Sequence, residues 1–276
     1  MADLHWTAAT DRLAALAQTA RLGLFADFDG TLSPLTPYPA IPDLSPRNRE
    51  LLIAFAARLP IVSVISGRGA ADVRDYVRLP TVRYVGNHGL EYLRGDDLVV
   101  VEAAKEWEAK LSGFLHDLEQ FPVPPGARYQ PKRITMSIMY RATANPVEAR
   151  QHIRAMLERI NGPYGFSFSE GHTIWEVKPP IAFDKGTAIA ALIDEFTLDG
   201  AIFLGDDITD ISGLETVCRY RDTGHLRQGL AVAVNGERDL PEVRAAADVV
   251  ASSVTDVEAL LGWLYDHLPP LPTTQP

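Results

Sequence analysis

The chain has 276 residues, 46% of them apolar and 22% charged, a composition able to bury one large core or two modest ones and unlike that of a disordered chain. Its 26 basic residues face 36 acidic ones, a formal net charge of −10 that argues against a nucleic-acid surface but leaves room for a local cationic pocket. A single cysteine, Cys218, excludes an internal disulfide and a thiolate zinc cluster.

The first residues carry no basic region followed by an apolar stretch, and the longest apolar runs fall far short of the roughly 20 residues of a membrane span. A cytoplasmic protein without membrane or nucleic-acid partners is expected. Residues 22–27 form a short apolar run that stops abruptly at an acid, the pattern of a buried parallel strand. Ser45-Pro46 reads as an N-cap followed by proline at the first helical position, opening a helix through residues 51–55. Residues 61–65 read as a strand, 70–77 as a helix and 82–85 as another strand, the alternation of a doubly wound sheet.

After Gly89 the rhythm changes. Residues 91–94 and 98–101 flank the turn Gly95-Asp96-Asp97 as a hairpin, and 103–120 carry a helical pattern. Residues 134–141 alternate as a half-buried strand, Asn145-Pro146 starts a helix running to about residue 160, and 165–169 and 173–178 read as strands. The first rhythm returns after Pro179-Pro180: a helix over 185–196, a buried strand over 201–204, a helix from about 210, a strand over 230–234 and short elements near 248–251 and 254–264. The expected fold class is α/β: a Rossmann-like doubly wound parallel core, residues 1–92 and 179–268, with an α/β cap inserted at 93–178. The proline-rich residues 269–276 are expected to be disordered.

Two acidic clusters follow strand ends: Asp27-Phe28-Asp29-Gly30-Thr31, and Gly205-Asp206-Asp207-Ile208-Thr209-Asp210. Alternation along a strand would send Asp27 and Asp29 to one side. The carboxyl ends of parallel strands open onto the ligand crevice, so up to five carboxylates converge there. Like charges that close require a hard divalent cation, for which Mg2+ is the natural choice. Such aspartates also serve as caps and turn formers, but two clusters at strand ends favour chemistry. Ser66-Gly67-Arg68 follows the strand at 61–65, and Lys185 opens a helix, so Ser66 and Lys185 could hold a phosphoryl group while Asp27 attacks phosphorus. Lys178, also at a strand end, is the rival cation.

This order of motifs resembles the haloacid dehalogenase superfamily of phosphatases. More narrowly, Ser66-Gly67-Arg68, Gly86-Asn87-His88-Gly89, Glu176-Val177-Lys178-Pro179, Asp184-Lys185-Gly186 and Gly205–Asp210 resemble the trehalose-6-phosphate phosphatase family over residues 22–250. The resemblance implies an HAD-like core in which Asp27 is the nucleophile and Asp29 the general acid and base. It implies Mg2+ held by Asp27, the backbone carbonyl of Asp29 and Asp206, with Asp207 or Asp210 reached directly or through water. Ser66 and Lys185 would stabilise the transferring phosphoryl, with donors from the amides of Gly30 and Gly67. The 93–178 segment would be the cap that closes over substrate.

The implied reaction is hydrolysis of trehalose 6-phosphate to trehalose and phosphate, linked functionally to a trehalose-6-phosphate synthase. Alternatives are a phosphatase of mannosyl- or glucosyl-3-phosphoglycerate or of sucrose phosphate, a phosphomutase, or a sugar-phosphate-binding module without catalysis. Sugar hydroxyls call for charged and amide partners, for which Arg68, Asn87 and His88 are core candidates and Lys132, Arg141, Glu170, Glu176 and Lys178 are cap candidates. Trp107, Tyr140 and Trp175 are expected in the cap core.

Overall fold

A computed structural model describes residues 4–36, 42–171, 173–236 and 239–270. The chain divides into two compact units, residues 1–99 with 183–276, and residues 100–182. The larger unit begins with α1 (Thr10–Ala17), β1 (Leu22–Ala26), α2 (Pro46–Ala56), β2 (Ile61–Ile65), α3 (Ala70–Val77), β3 (Arg83–Gly86), β4 (Glu91–Arg94) and β5 (Asp97–Val100). The smaller comprises α4 (Lys105–Leu118), β6 (Arg128–Lys132), β7 (Thr135–Met139), α5 (Pro146–Ile160), β8 (Ser167–Gly171) and β9 (Ile174–Lys178). The larger resumes with α6 (Lys185–Glu195), β10 (Gly200–Gly205), α7 (Ile211–Asp222), β11 (Gln228–Val234), α8 (Pro241–Ala245), β12 (Val249–Ala251) and α9 (Val254–Asp266).

The eight-stranded sheet of the larger unit runs β12-β11-β10-β1-β2-β3-β4-β5, parallel from β12 to β3, with β4 antiparallel to β3. The division falls at 99/100 and 182/183 rather than at the expected 92/93 and 178/179. The β4–β5 pair hydrogen-bonds into the large sheet and so stays with it. β1 is buried throughout, with Leu24 packing into the apolar cluster on one face and Phe25 into that on the other. An uninterrupted apolar run suits such a strand, because neither face meets water. Each fully buried side chain of this kind contributes about 2 kcal/mol. From β1 the chain moves to β2 on one side, while β10 flanks it on the other, so the carboxyl end of β1 is a topological switch point.

Local signals set the helix starts. Ser45 accepts from Asn48 N at the start of α2, Asn145 accepts from Glu148 N at α5, and Asp184 and Thr187 form a capping box at α6. Three elements escaped the sequence pattern. β6 contains Pro131, which is tolerated because β6 is an edge strand of the four-stranded sheet β6-β7-β9-β8. Helices α1 and α8 are short, and neither has a side-chain cap, although Pro241 opens α8. The expected tail disorder falls mainly on residues 271–276, outside the described residues. No described helix is long and apolar enough to cross a membrane.

Asp248 ties the far edge of the large sheet together. Its carboxylate pairs with Arg12 of α1 at 3.0 Å and Arg221 of α7 at 2.6 Å, and accepts from Ala231 N of β11 at 3.0 Å. Burial alone would raise this carboxyl, but the Ala231 N–H and the two guanidinium groups outweigh it and hold the group below its ordinary range. A carboxyl depressed on folding stabilises above its unfolded value, and that contribution is lost as pH falls through the folded one. Asp248→Ala should therefore cost about 3 kcal/mol in urea unfolding at neutral pH. Repeating the titration in acid should narrow the gap between parent and variant.

Candidate active site

β1 and β10 are parallel neighbours in register, Ala26 against Leu204, so both acidic clusters leave the sheet at the same edge. Asp27 N donates to Leu204 O at 2.9 Å and extends the ladder by one bond. Beyond it the chain leaves strand geometry. Phe28 is fully buried, Gly30 has φ +87, and Gly30 N bonds to Ser33 O at 2.7 Å. Strand alternation therefore does not carry past Asp27, and a tight turn rather than the pleat places Asp29. Only glycine suits position 30, where φ is positive and a Cβ would collide with the Asp206 carboxylate.

Asp27, Lys185, Asp206 and Asp210 are 5%, 2%, 4% and 0% exposed. The Lys185 ammonium donates to Asp27 Oδ1 at 2.8 Å and to Asp210 Oδ1 at 2.6 Å. Asp210 Oδ2 accepts from the amides of Asp206 and Asp207 at 3.1 and 3.0 Å, so both Asp210 oxygens are engaged. Asp206 Oδ1 accepts from the Thr31 hydroxyl at 3.0 Å. Asp207 turns its Oδ1 to Ile208 N at 2.6 Å, capping the 3-10 turn that follows.

Burial, against the pull of Lys185, pushes Asp27 up to about 7, with the Asp210 and Asp29 charges adding to the rise. Burial pushes Asp206 up to about 9, reinforced by the charges of Asp27 and Asp210. Burial pulls Lys185 down, but the carboxylates of Asp210 and Asp27 outweigh it and hold the ammonium above its ordinary value.

Asp29 lies in a different setting. Its carboxylate is gripped by the guanidinium of Arg68, Nε to Oδ2 at 2.6 Å and Nη2 to Oδ1 at 2.7 Å, and both side chains are about one-quarter exposed. Arg68 is thus committed to Asp29 in this state, a pairing that spacing in the sequence could not reveal. Ser66 is buried, and its Oγ accepts from Arg68 N at 3.2 Å. Among the described residues its own proton has no acceptor. The loop after β3 is stitched to this one: Asn87 N donates to Arg68 O at 2.7 Å and His88 N to Ser66 O at 3.0 Å. Asn87 and His88 both have positive φ, 49 and 58, which these two bonds hold in place. The His88 ring lies where a Cβ on Gly67 would sit, so Gly67 makes room for it.

One oxygen each from Asp27, Asp206 and Asp210 fall within 4.8 Å of one another. Three acids face one ammonium, and every donor is a hard oxygen. That set fits one divalent cation of the Mg2+ or Ca2+ kind rather than a soft metal. Asp27 and Asp206 each keep an oxygen that receives no hydrogen bond among the described residues, whereas Asp210 keeps none.

In the smaller unit, Glu176 of β9 takes the Ser137 hydroxyl at 2.7 Å and faces Lys132 Nζ at 3.5 Å. Lys178 lies two residues on, exposed and on the same face of the sheet. Glu170 falls on the opposite face, where Arg150 of α5 grips its carboxylate and Tyr140 OH donates at 3.0 Å. Its pairing with Trp175 marks that as the helix-covered face. Arg141 follows β7 and is exposed. Trp107, Tyr140 and Trp175 are buried, as expected. Of the rival cations, Lys185 reaches Asp27.

The trehalose-phosphatase family profile matches residues 25–237, a span that includes both acidic clusters, Ser66 and Lys185. The chain is 31% identical over 226 residues to the trehalose-phosphate phosphatase of Mycobacterium bovis, covering 73% of this chain and 54% of that protein. It is 30% identical over 224 residues to the probable trehalose-phosphate phosphatase 2 of Oryza sativa subsp. japonica, covering 71% and 58%. The chain thus spans just over half the length of these curated relatives. Among solved structures, the C-terminal domain of Candida albicans trehalose-6-phosphate phosphatase shares the fold, with a TM-score of 0.71 at 20% identity over 92% of this chain and 95% of that one. With the profile running through both acidic clusters and the helix start that carries Lys185, the chain belongs to the trehalose-phosphatase family.

Proposed function

We propose that the chain is a divalent-cation-dependent phosphomonoesterase that hydrolyses trehalose 6-phosphate to trehalose and phosphate. The observation that carries this reading is the buried Asp27–Lys185–Asp210 chain beside Asp206, within a chain of this family. The Asp27 carboxylate attacks phosphorus and the sugar oxygen leaves with a proton from Asp29, giving an aspartyl phosphate. Water then attacks phosphorus, Asp29 takes its proton, and phosphate departs as the Asp27 carboxylate is regenerated. For proton transfer at least one Asp29 oxygen must leave the Arg68 fork. Ser66 Oγ and Lys185 Nζ stand ready for the phosphoryl oxygens, whereas the Gly30 amide, expected as a further donor, is spent on Ser33 O.

Asp27, Asp206 and the Asp29 carbonyl would hold a Mg2+ ion, whose charge would offset that of the phosphoryl oxygens. Asp210 then acts by orienting Lys185 and the Asp206 loop, and Asp207 by capping. On the smaller unit, Glu176, Lys132 and Lys178 would meet sugar hydroxyls. A trehalose-6-phosphate synthase would supply the substrate, and a cytoplasmic setting suits the single cysteine.

Phosphate release from a panel of sugar phosphates tests the reading. Trehalose 6-phosphate should exceed sucrose phosphate and the glycosyl-3-phosphoglycerates by at least about a hundredfold in kcat/KM. EDTA should abolish turnover and added Mg2+ restore it. Release without a bisphosphate activator excludes a mutase, and no release from any substrate with Mg2+ present would defeat the proposal.

A further inference from the structure

The four-stranded sheet of the smaller unit is antiparallel throughout, and its register sorts residues onto two unlike faces. Tyr129, Ile138, Trp175 and Glu170 form one cross-strand row. That face is the apolar one: Ile138 is fully buried, and Trp175 Nε1 donates to Arg150 O of α5 at 3.2 Å. The adjacent row, Gln130, Ser137, Glu176 and Ser169, is polar from end to end and lies on the other face. Alternation adds Lys132 and Lys178 to it.

Ser137 is the centre of that row and 1% exposed. A serine in a central buried strand gives up packing and β-propensity that valine or isoleucine would supply. Its hydroxyl is spent on Glu176 Oε1 at 2.7 Å, while Lys132 Nζ stands 3.5 Å from Oε2. A glutamate has several free torsions, and a carboxylate left to rotate would have to be ordered each time a ligand binds. With Oε1 pinned from below, that ordering is done in advance.

We propose that Ser137 is a positioning residue for substrate recognition. Its hydroxyl locks the Glu176 carboxylate into the orientation that accepts a sugar hydroxyl. This rests on the reading above that Glu176 binds the sugar. Ser137 does not touch substrate; it acts through Glu176.

Steady-state kinetics with trehalose 6-phosphate test the proposal. Ser137→Ala should raise KM about five- to tenfold, the loss of one hydrogen bond to a charged group, with a much smaller change in kcat. Ser137→Thr, which restores the hydroxyl, should return KM toward the parent value. On a Glu176→Ala background, Ser137→Ala should add nothing, because no carboxylate remains to be oriented. Additive effects, or a parental KM in Ser137→Ala when Glu176→Ala raises it, overturn the positioning role and leave the reading of Glu176 standing. A fall in kcat as large as the rise in KM, unrescued by threonine, marks a packing role and also overturns it. A parental KM in Glu176→Ala overturns the reading of Glu176 itself.

Discussion

Asp27→Asn should reduce phosphate release about 10^4-fold or more, to the background of the assay, while leaving the protein folded. The substitution is isosteric. Its amide oxygen still accepts from Lys185, whose ammonium also keeps Asp210 as a counter-charge. It removes the atom that must form the bond to phosphorus, since a neutral amide is a poor nucleophile. It also removes a buried charge that burial itself opposes, enough to push the Asp27 carboxyl up to about 7. The thermal midpoint of the variant should therefore stay within a few degrees of the parent, or rise. Lost turnover in a folded protein identifies chemistry rather than scaffold. Activity above about one-tenth of the parent would eliminate Asp27 as the nucleophile.

The parts of the site legible from sequence are those fixed by topology. A buried parallel strand announces itself by an apolar run that stops abruptly, and the residue after the stop must lie at the sheet edge. Asp27, Ser66 and Asp206 all stand in that place, and Lys185 stands at a helix start that Asp184 caps. Once β1 and β10 pair, little freedom remains in where those groups meet. What stayed hidden depends on loops and rotamers. Residues 27 and 29 are two apart, yet the turn at Gly30 delivers one to Lys185 and the other to the Arg68 fork.

Asp210 illustrates the same limit. Its position in the motif places it among the acids that could hold a metal, but does not reveal that its oxygens also take one ammonium and two amides. Glu170 was misleading for a different reason: it falls within β8, and its cross-strand partner Trp175 shows that it faces the helices. A shift of one position in reading a strand moves every side chain to the other face. β6 was not recognisable at all, because Pro131 is acceptable only if the strand is known to lie at an edge.

Lys185→Met tests the second requirement of the cluster, that its acids share one internal cation. The ammonium is 2% exposed and bonds to both Asp27 and Asp210, so methionine fills most of its volume but leaves three buried carboxylates without it. Breaking a buried pair by removing one partner costs about 3–5 kcal/mol, because the remaining charge is stranded. The variant should therefore melt well below the parent, and kcat should fall about 10^3-fold through loss of a charged donor to the phosphoryl group. These two effects can be separated. Adding Asp210→Asn removes one of the two acids that lost their ammonium partner while retaining a side chain whose oxygen can still accept from the amides of Asp206 and Asp207. The double variant should regain much of the lost stability in thermal melts, yet no activity, since nothing replaces the ammonium beside Asp27. Recovery of turnover together with stability would mean that Lys185 serves only as a structural counter-ion, and the phosphoryl-binding role would pass to another group.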